Sequence, residues 1–393
     1  MSPPLAGLKV LDLSRVLAGP WCTMSLADLG AEVTKIEPPS GDDTRQWGPP
    51  FAAGESAYFL CANRSKRSVI ADLTVARERR AVIELAHGAD VIVENFKVGG
   101  LKRFGLDYAS VHAENPAAIY CSISGYGQTS PRARMPGYDY VIQAEGGLMA
   151  VTGPTGGEPT KVGVAVVDLM AGMYATQAIL AALIARQRDG VGQQIDIALY
   201  DAQLAMLANV GSAYLLSGEE PKRYGNGHPT VVPYETFAAA DGTIVVAVGN
   251  DRQFAALCRT LGCALLSEDR RFAGNSDRVI NRAALIPILS DIIARETRAH
   301  WLSLLQGASV PCAPVRSVGE ALTAPETAAR NMVTTVDHPR AGAIKLVASP
   351  IRLSRTPVIP PRAPPLLGEH TEEVIGIEEP PVSEPDAQFR PAD

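Results

Sequence analysis

The chain has 393 residues, room for two domains, and its 46% hydrophobic and 20% charged content is that of a soluble globular protein. A net charge of -6 excludes a generally basic surface, so nucleic acid is not an expected partner. Six scattered cysteines (Cys22, Cys61, Cys121, Cys258, Cys263, Cys312) form no CxxC and no metal-like pairing with histidine, which excludes a disulfide framework and leaves no metal site to expect.

The N-terminal MSPPLAGLKVLDLS has no basic stretch ahead of an apolar one, so no secretory signal is read and the expected location is cytoplasmic, away from membranes. Leu8–Leu13 is a short apolar strand, followed by the loop RVLAGP, a helix over Trp21–Leu29 and a second strand over Ala31–Ile36. This βαβ unit implies a parallel sheet with a binding crevice at the strand ends. It lacks GxGxxG, which counts against an NAD enzyme. Pro38–Phe51 is turn-rich and carries Arg45 and Trp47. Strands are expected at Ser68–Leu73, Asp90–Glu94 and Ala117–Ile123, alternating with helical segments, so the fold class is α/β, doubly wound.

A Gly/Pro-rich loop, Gly125–Gly137, leads into a helix expected over Tyr138–Ala150. Leu169–Ile184 has apolar and small residues on every face, so its helix is expected to be buried all round rather than to span a membrane. One acid, Asp168, stands at its mouth. Two readings apply to it. As an N-cap it bonds the free amides of the first turn. As an ionised, partly desolvated carboxylate it is a nucleophile toward an activated carbonyl. Gln193–Leu199 is the next strand and Tyr200–Leu216 a helix. Gly218–Pro233 marks a boundary, giving domains at 1–217, 218–321 (small, α+β) and a return segment at 322–377 that contains a hairpin near Arg340. The acidic, Pro-rich stretch from 378 to the end reads as disordered.

Basic residues recur after strands: Arg15, Arg45, Lys66 with Arg67, Lys97 and Arg103. Each alone reads as solvated surface; together they suit the phosphates of a nucleotide-like ligand. Phe96 suits a core position or a stacking one, Asp139 reads as a cap of its own helix, and His228 lies in a glycine loop. No HExxH or GxSxG is present.

Taken in order, RVLAGP (15–20), KIEPPSGDDTRQWGPPF (35–51), NRSKRS (63–68), ENF (94–96), ISGYGQTSP (123–131), GYD (137–139), QAEGGLMAVTG (143–153), Asp168, GNGHPTVVPYETF (225–237), VPCAPV (310–315) and PPLLGEHTEEV (364–374) resemble the class III CoA-transferase (CaiB/BaiF) family. The resemblance implies a Rossmann-like large domain built from both chain ends, a smaller middle domain and an interlocked homodimer. It places the nucleophile on Asp168 and CoA contacts on Val16, Leu17, Ala18, Lys66, Asn95, Phe96, Arg103, Gly137, Tyr138 and Asp139. Two positions often basic in the family are Pro38 and Met135 here. The implied reaction moves CoA between an acyl-CoA and a free carboxylic acid with no cofactor, the CoA thioester being a substrate. The motifs look closest to members that use dicarboxylates of the succinate and glutarate type, and Arg45 or Arg15, with His228 assisting, is expected to hold the distal carboxylate. Alternatives are a transferase for another acid (formyl-CoA:oxalate type), an α-methylacyl-CoA racemase and a non-catalytic CoA-binding protein. The racemases carry histidine where this chain has Tyr138, a poor base at neutral pH.

Overall fold

The computed structural model describes residues 2–376; the stretch expected to be disordered lies outside them. The first half of the chain runs β1 (Lys9–Asp12), α1 (Ala18–Asp28), β2 (Glu32–Glu37), a short ladder of β3 (Phe51–Ala52) and β4 (Glu55–Ser56), α2 (Ala57–Ala62), β5 (Lys66–Ile70), α3 (Ala76–His87), β6 (Val91–Glu94), α4 (Tyr108–Glu114) and β7 (Ile119–Ser124). Then come α5 (Asp139–Glu145), α6 (Leu148–Val151), α7 (Val166–Asp189), β8 (Gln194–Ala198), α8 (Leu199–Met206) and α9 (Ala208–Ser217). Six strands form one sheet in the order β5-β2-β1-β6-β7-β8, every pair parallel.

The strand sequences explain this sheet. The central strands β1 (KVLD) and β6 (VIVE) are short apolar runs because helices cover both faces, whereas β2, β5 and β8 mix Val and Ile with charged or polar residues. On β6, Val91 and Val93 point into a core shared with α1, α7 and α8, whereas Ile92 points to the opposite core with α3 and α4. The strand order reverses between β1 and β6, and a crevice opens there at the carboxyl ends of the strands.

The chain divides into two compact units. The first comprises Met1–Gly146, Gly163–Ala208 and the return segment from Ala328; the second comprises Gly147–Val162 and Asn209–Thr327. The sequence-based bounds differ by assigning Gly147–Val162 and α9 to the large domain. The second unit has its own core around Phe237, Ile244, Phe254 and Trp301. Its sheet joins β9 (Tyr234–Ala239), β10 (Gly242–Ala247) and β11 (Cys312–Pro314), with antiparallel pairing. The hairpin expected near Arg340 is β12 (Val333–His338) paired with β13 (Gly342–Val347).

Three helical expectations change. The stretch 138–150 is two helices, interrupted at Gly147 with φ 84°. The stretch 200–216 breaks at Ala208, whose φ is 43°. The helix expected to be buried all round, α7, is long and apolar enough to cross a membrane by length and composition. Its buried stripe (Val167, Ala171, Ala175, Ile179, Ala182) lies in the first unit's core, while Met173, Tyr174 and Ile184 face outward.

Candidate active site

A cavity of about 410 Å³ occupies the crevice at the switch point. Its walls are the loops that leave three neighbouring strands: Arg15–Ala18 after β1, Asn95–Val98 after β6 and Ser124–Gly125 after β7. The segment Ala133–Tyr138 closes another side, and Asp168 lines it too. Two of these walls are pinned to each other. The Asn95 side chain accepts the Arg15 N–H at 2.9 Å and donates to the Arg15 carbonyl at 2.7 Å. Gly125 and Gly137 cross so closely that a Cβ on Gly125 would sit 2.7 Å from the Gly137 Cα, so only glycine brings the GYD turn to the β7 loop.

Asp168 lies in the first turn of α7, but it does not cap that helix. The N-cap position is Ala165, which supplies no side-chain acceptor. The cap comes from Asp139, whose Oδ1 accepts the N–H groups of Val167 at 2.8 Å and Asp168 at 3.3 Å. This corrects both cap readings: Asp139 caps α7 rather than its own helix α5, and the Asp168 carboxylate is released from that work. Among the described residues, none forms a hydrogen bond or ion pair with the Asp168 carboxylate. Burial, reinforced by the Asp139 charge, pushes its pKa up to about 7. Tyr58 of α2 lies in the same electrostatic neighbourhood: burial and then the Asp168 charge push its phenol up to about 12, so it stays protonated. Trp47 packs edge-on against Tyr58 at 5.2 Å between ring centroids. Neither α2 nor Tyr58 was singled out in the sequence, because six residues show no readable helical period.

Of the positions the resemblance assigned to CoA, Val16, Leu17, Ala18, Asn95, Phe96, Arg103, Gly137 and Tyr138 line the cavity. Asp139 stands behind it as the helix cap. Lys66 does not line it. Its buried ammonium donates to Asp12 Oδ2 at 3.0 Å, Asn63 Oδ1 at 2.9 Å and the Pro20 carbonyl at 3.0 Å, which occupies all three donors. Lys97 and Arg134 are cavity cations, so a positive charge is present one residue from the Met135 departure.

The expected carboxylate clamps separate. Arg45 is committed inside the protein. Its guanidinium grips Glu37 through Nε at 2.8 Å and Nη2 at 2.7 Å, reaches Glu55 at 3.1 Å and the Pro365 carbonyl at 3.3 Å, and stacks on Phe59. It is 8% exposed and has no donor left for a ligand. Arg15 does line the cavity, loosely paired with Asp43 at 3.5 Å and 5.9 Å from the Phe96 ring. His228 belongs to the second unit, where its Nδ1 accepts the Thr230 N–H at 3.2 Å and its ring sits 5.3 Å from that of Tyr234.

The profile of CoA-transferase family III matches residues 5–371. The chain is 45% identical over 380 residues to a succinate–glutarate CoA-transferase from Agrobacterium fabrum, covering 95% of each chain. It is 43% identical over 373 residues to a succinyl-CoA:glutarate CoA-transferase from Homo sapiens, covering 95% of this chain and 85% of that one. The crystal structure of a CaiB/BaiF family protein from Brucella suis superposes with a TM-score of 0.86 at 45% identity, over 96% of this chain and 99% of the other.

Proposed function

The chain belongs to CoA-transferase family III, and from that premise we propose that it moves CoA between succinyl-CoA and glutarate through a covalent intermediate on Asp168. The observation that carries this reading is the Asp168 carboxylate, lining the cavity with its helix cap supplied by another residue. The names of the bacterial and human relatives support the choice of acids.

The steps balance without a cofactor. The ionised Asp168 attacks the donor thioester carbonyl and expels CoA thiolate, giving a mixed anhydride. The thiolate attacks the aspartyl carbonyl, and succinate leaves. Glutarate then attacks the aspartyl-CoA thioester, expelling the thiolate again, and thiolate attack on the glutaryl carbonyl yields glutaryl-CoA and free Asp168. One thioester replaces another, so no external energy source enters. Lys97, Arg103 and Arg134 supply charge for the CoA phosphates. Arg15 takes over the role of distal-carboxylate clamp that Arg45 is unable to fill. A homodimer is part of this reading, supported by the family resemblance and by the outward apolar residues of α7.

The test is intact-mass spectrometry after incubation with succinyl-CoA and quenching with hydroxylamine. The expected result is a hydroxamate on Asp168 in the wild type and none in Asp168→Ala. A wild type that turns over glutarate with no adduct at Asp168 would sink the covalent mechanism. Absence of any CoA exchange with succinate or glutarate would sink the assignment of acids.

A further inference from the structure

The cavity wall at Ser14–Ala18 is held by side chains to an unusual degree. Asp12 accepts the Ser14 N–H at 3.0 Å, and Lys35 Nζ donates to the Ser14 carbonyl at 2.6 Å. Asn95 engages both backbone groups of Arg15. Asp42 accepts the Val16 N–H, with its oxygens 3.2 and 3.3 Å away. Val16 has φ 69°, the left-handed region. A β-branched residue there is an outlier that persists only where its surroundings over-determine it.

Asp42 is itself fixed. It is fully buried, its Oδ2 lies 2.9 Å from the fully buried Lys35 Nζ, and its Oδ1 accepts from Thr44 N and Thr44 Oγ1. Its own N–H donates to Glu37 Oε2 at 2.9 Å. Lys35 projects from β2, so the wall is anchored through Asp42 to the interior of the sheet. Immediately after Val16, the N–H groups of Leu17 and Ala18 meet no acceptor among the described residues, and both residues line the cavity.

We infer that Asp42, backed by Lys35, is a positioning residue: it holds Val16 left-handed and thereby orients the Leu17–Ala18 wall for acyl-CoA. Asp42 does not line the cavity and acts only through Val16. Releasing the Val16 N–H lets the residue relax to negative φ, which swings the following peptide and the start of α1. Burial raises the Asp42 pKa, but the Lys35 charge and the Thr44 hydrogen bonds outweigh it and keep the group ionised. The inference rests on the acyl-CoA reading of the cavity. The competing explanation is that Asp42 only neutralises Lys35 and caps the short 3-10 turn Asp43–Gln46.

A double-mutant cycle separates the two, because glycine adopts positive φ without help. CoA affinity is measured by titration calorimetry for wild type, Asp42→Ala, which removes both oxygens that accept the Val16 N–H, Val16→Gly and the double variant. The expected result is a loss of about tenfold for Asp42→Ala in the wild type and under about twofold in the Val16→Gly background. Equal losses in both backgrounds would overturn the positioning role while leaving the CoA site intact. A wild type that binds no CoA would instead remove the acyl-CoA reading itself. Should Asp42→Ala fail to fold, recovery of a cooperatively melting protein in the double variant supports the inference, and no recovery overturns it.

Discussion

In the first turn of α7 two aspartates divide the work, and the division sets the chemistry. Asp139 reaches over from α5 to accept the Val167 and Asp168 amides, so the dipole end of the helix is satisfied by a residue that does no attacking. Asp168 keeps its lone pairs, and burial beside a second carboxylate places its pKa at about 7. The sign for activity follows directly. Below about 7 the folded, unliganded enzyme carries Asp168 protonated and non-nucleophilic, so kcat/KM for succinyl-CoA falls as pH drops through that value. Asp139→Asn keeps an oxygen for the two amides but removes the charge, and the acid limb of the profile moves down by about one pH unit. An unmoved limb would mean that a different group, such as a phosphate of the ligand, controls it. In the sequence Asp168 was legible because it is the one charge ahead of a long apolar run. Its relation to Asp139 was not, because a capping acceptor 29 residues upstream leaves no local pattern. The expectation of Arg45 or Arg15, with His228 assisting, as the distal-carboxylate clamp left the two arginines unseparated. Only the structure shows that the Arg45 guanidinium already spans Glu37 and Glu55.

Among the elements, the crossing of α1 and α7 carries the site, since α1 begins at the cavity wall and α7 bears Asp168. The two helices meet at Gly172. A Cβ there would lie 2.6 Å from the Ala18 carbonyl oxygen and 3.3 Å from Trp21 Cβ and Cδ1. Gly172→Ala gains about 1 kcal/mol of helix propensity, but overpacking costs about 1–3 kcal/mol. The backbone oxygen in the way has no rotamer to escape to. The expected outcome is a lower melting temperature together with a several-fold higher KM for acyl-CoA, because relief of the clash displaces Ala18. Gly307→Ala, at the end of the helix Arg298–Gly307 where a Cβ meets open space, is the control and holds or raises the melting temperature. A Gly172→Ala variant that melts and binds like wild type would show that the helices separate freely. The strands were the legible elements, since a sheet covered on both faces writes itself as short apolar runs. The exposed side of α7 was not, because composition reports how apolar a helix is and not how much of it one chain covers. The breaks at Gly147 and Ala208 escaped for a related reason: hydrophobic periodicity continues across a residue whose φ turns positive.

For the whole molecule, the decisive feature is that a late segment completes an early sheet. β5 is an edge strand, and the return segment occupies its outward backbone groups. Ser68 N–H donates to His370 Nδ1, the Ser68 carbonyl accepts the His370 N–H at 2.9 Å, and Ile70 N–H donates to Thr371 Oγ1 at 3.0 Å. Upstream, Ser65 and Arg362 exchange backbone and side-chain bonds, and Arg45 reaches the Pro365 carbonyl. Sequence periodicity had no access to this closure, which spans about 300 positions; only the ordered family motifs suggested that both chain ends share one domain. The consequence is testable by truncation. A chain ending at Ser354 loses every one of these bonds, uncovers the β5 edge and removes the backbone acceptor that helps seat Arg45 between its two glutamates. It is expected to lose cooperative melting and to aggregate, read by light scattering on warming. A chain ending at Gly376 retains all of them and is expected to stay soluble, with the melting profile of the full chain. If the shorter chain remained monodisperse and melted cooperatively, the edge would be protected by the rest of the sheet alone, and the return segment would be an addition to the domain rather than the strap that closes it.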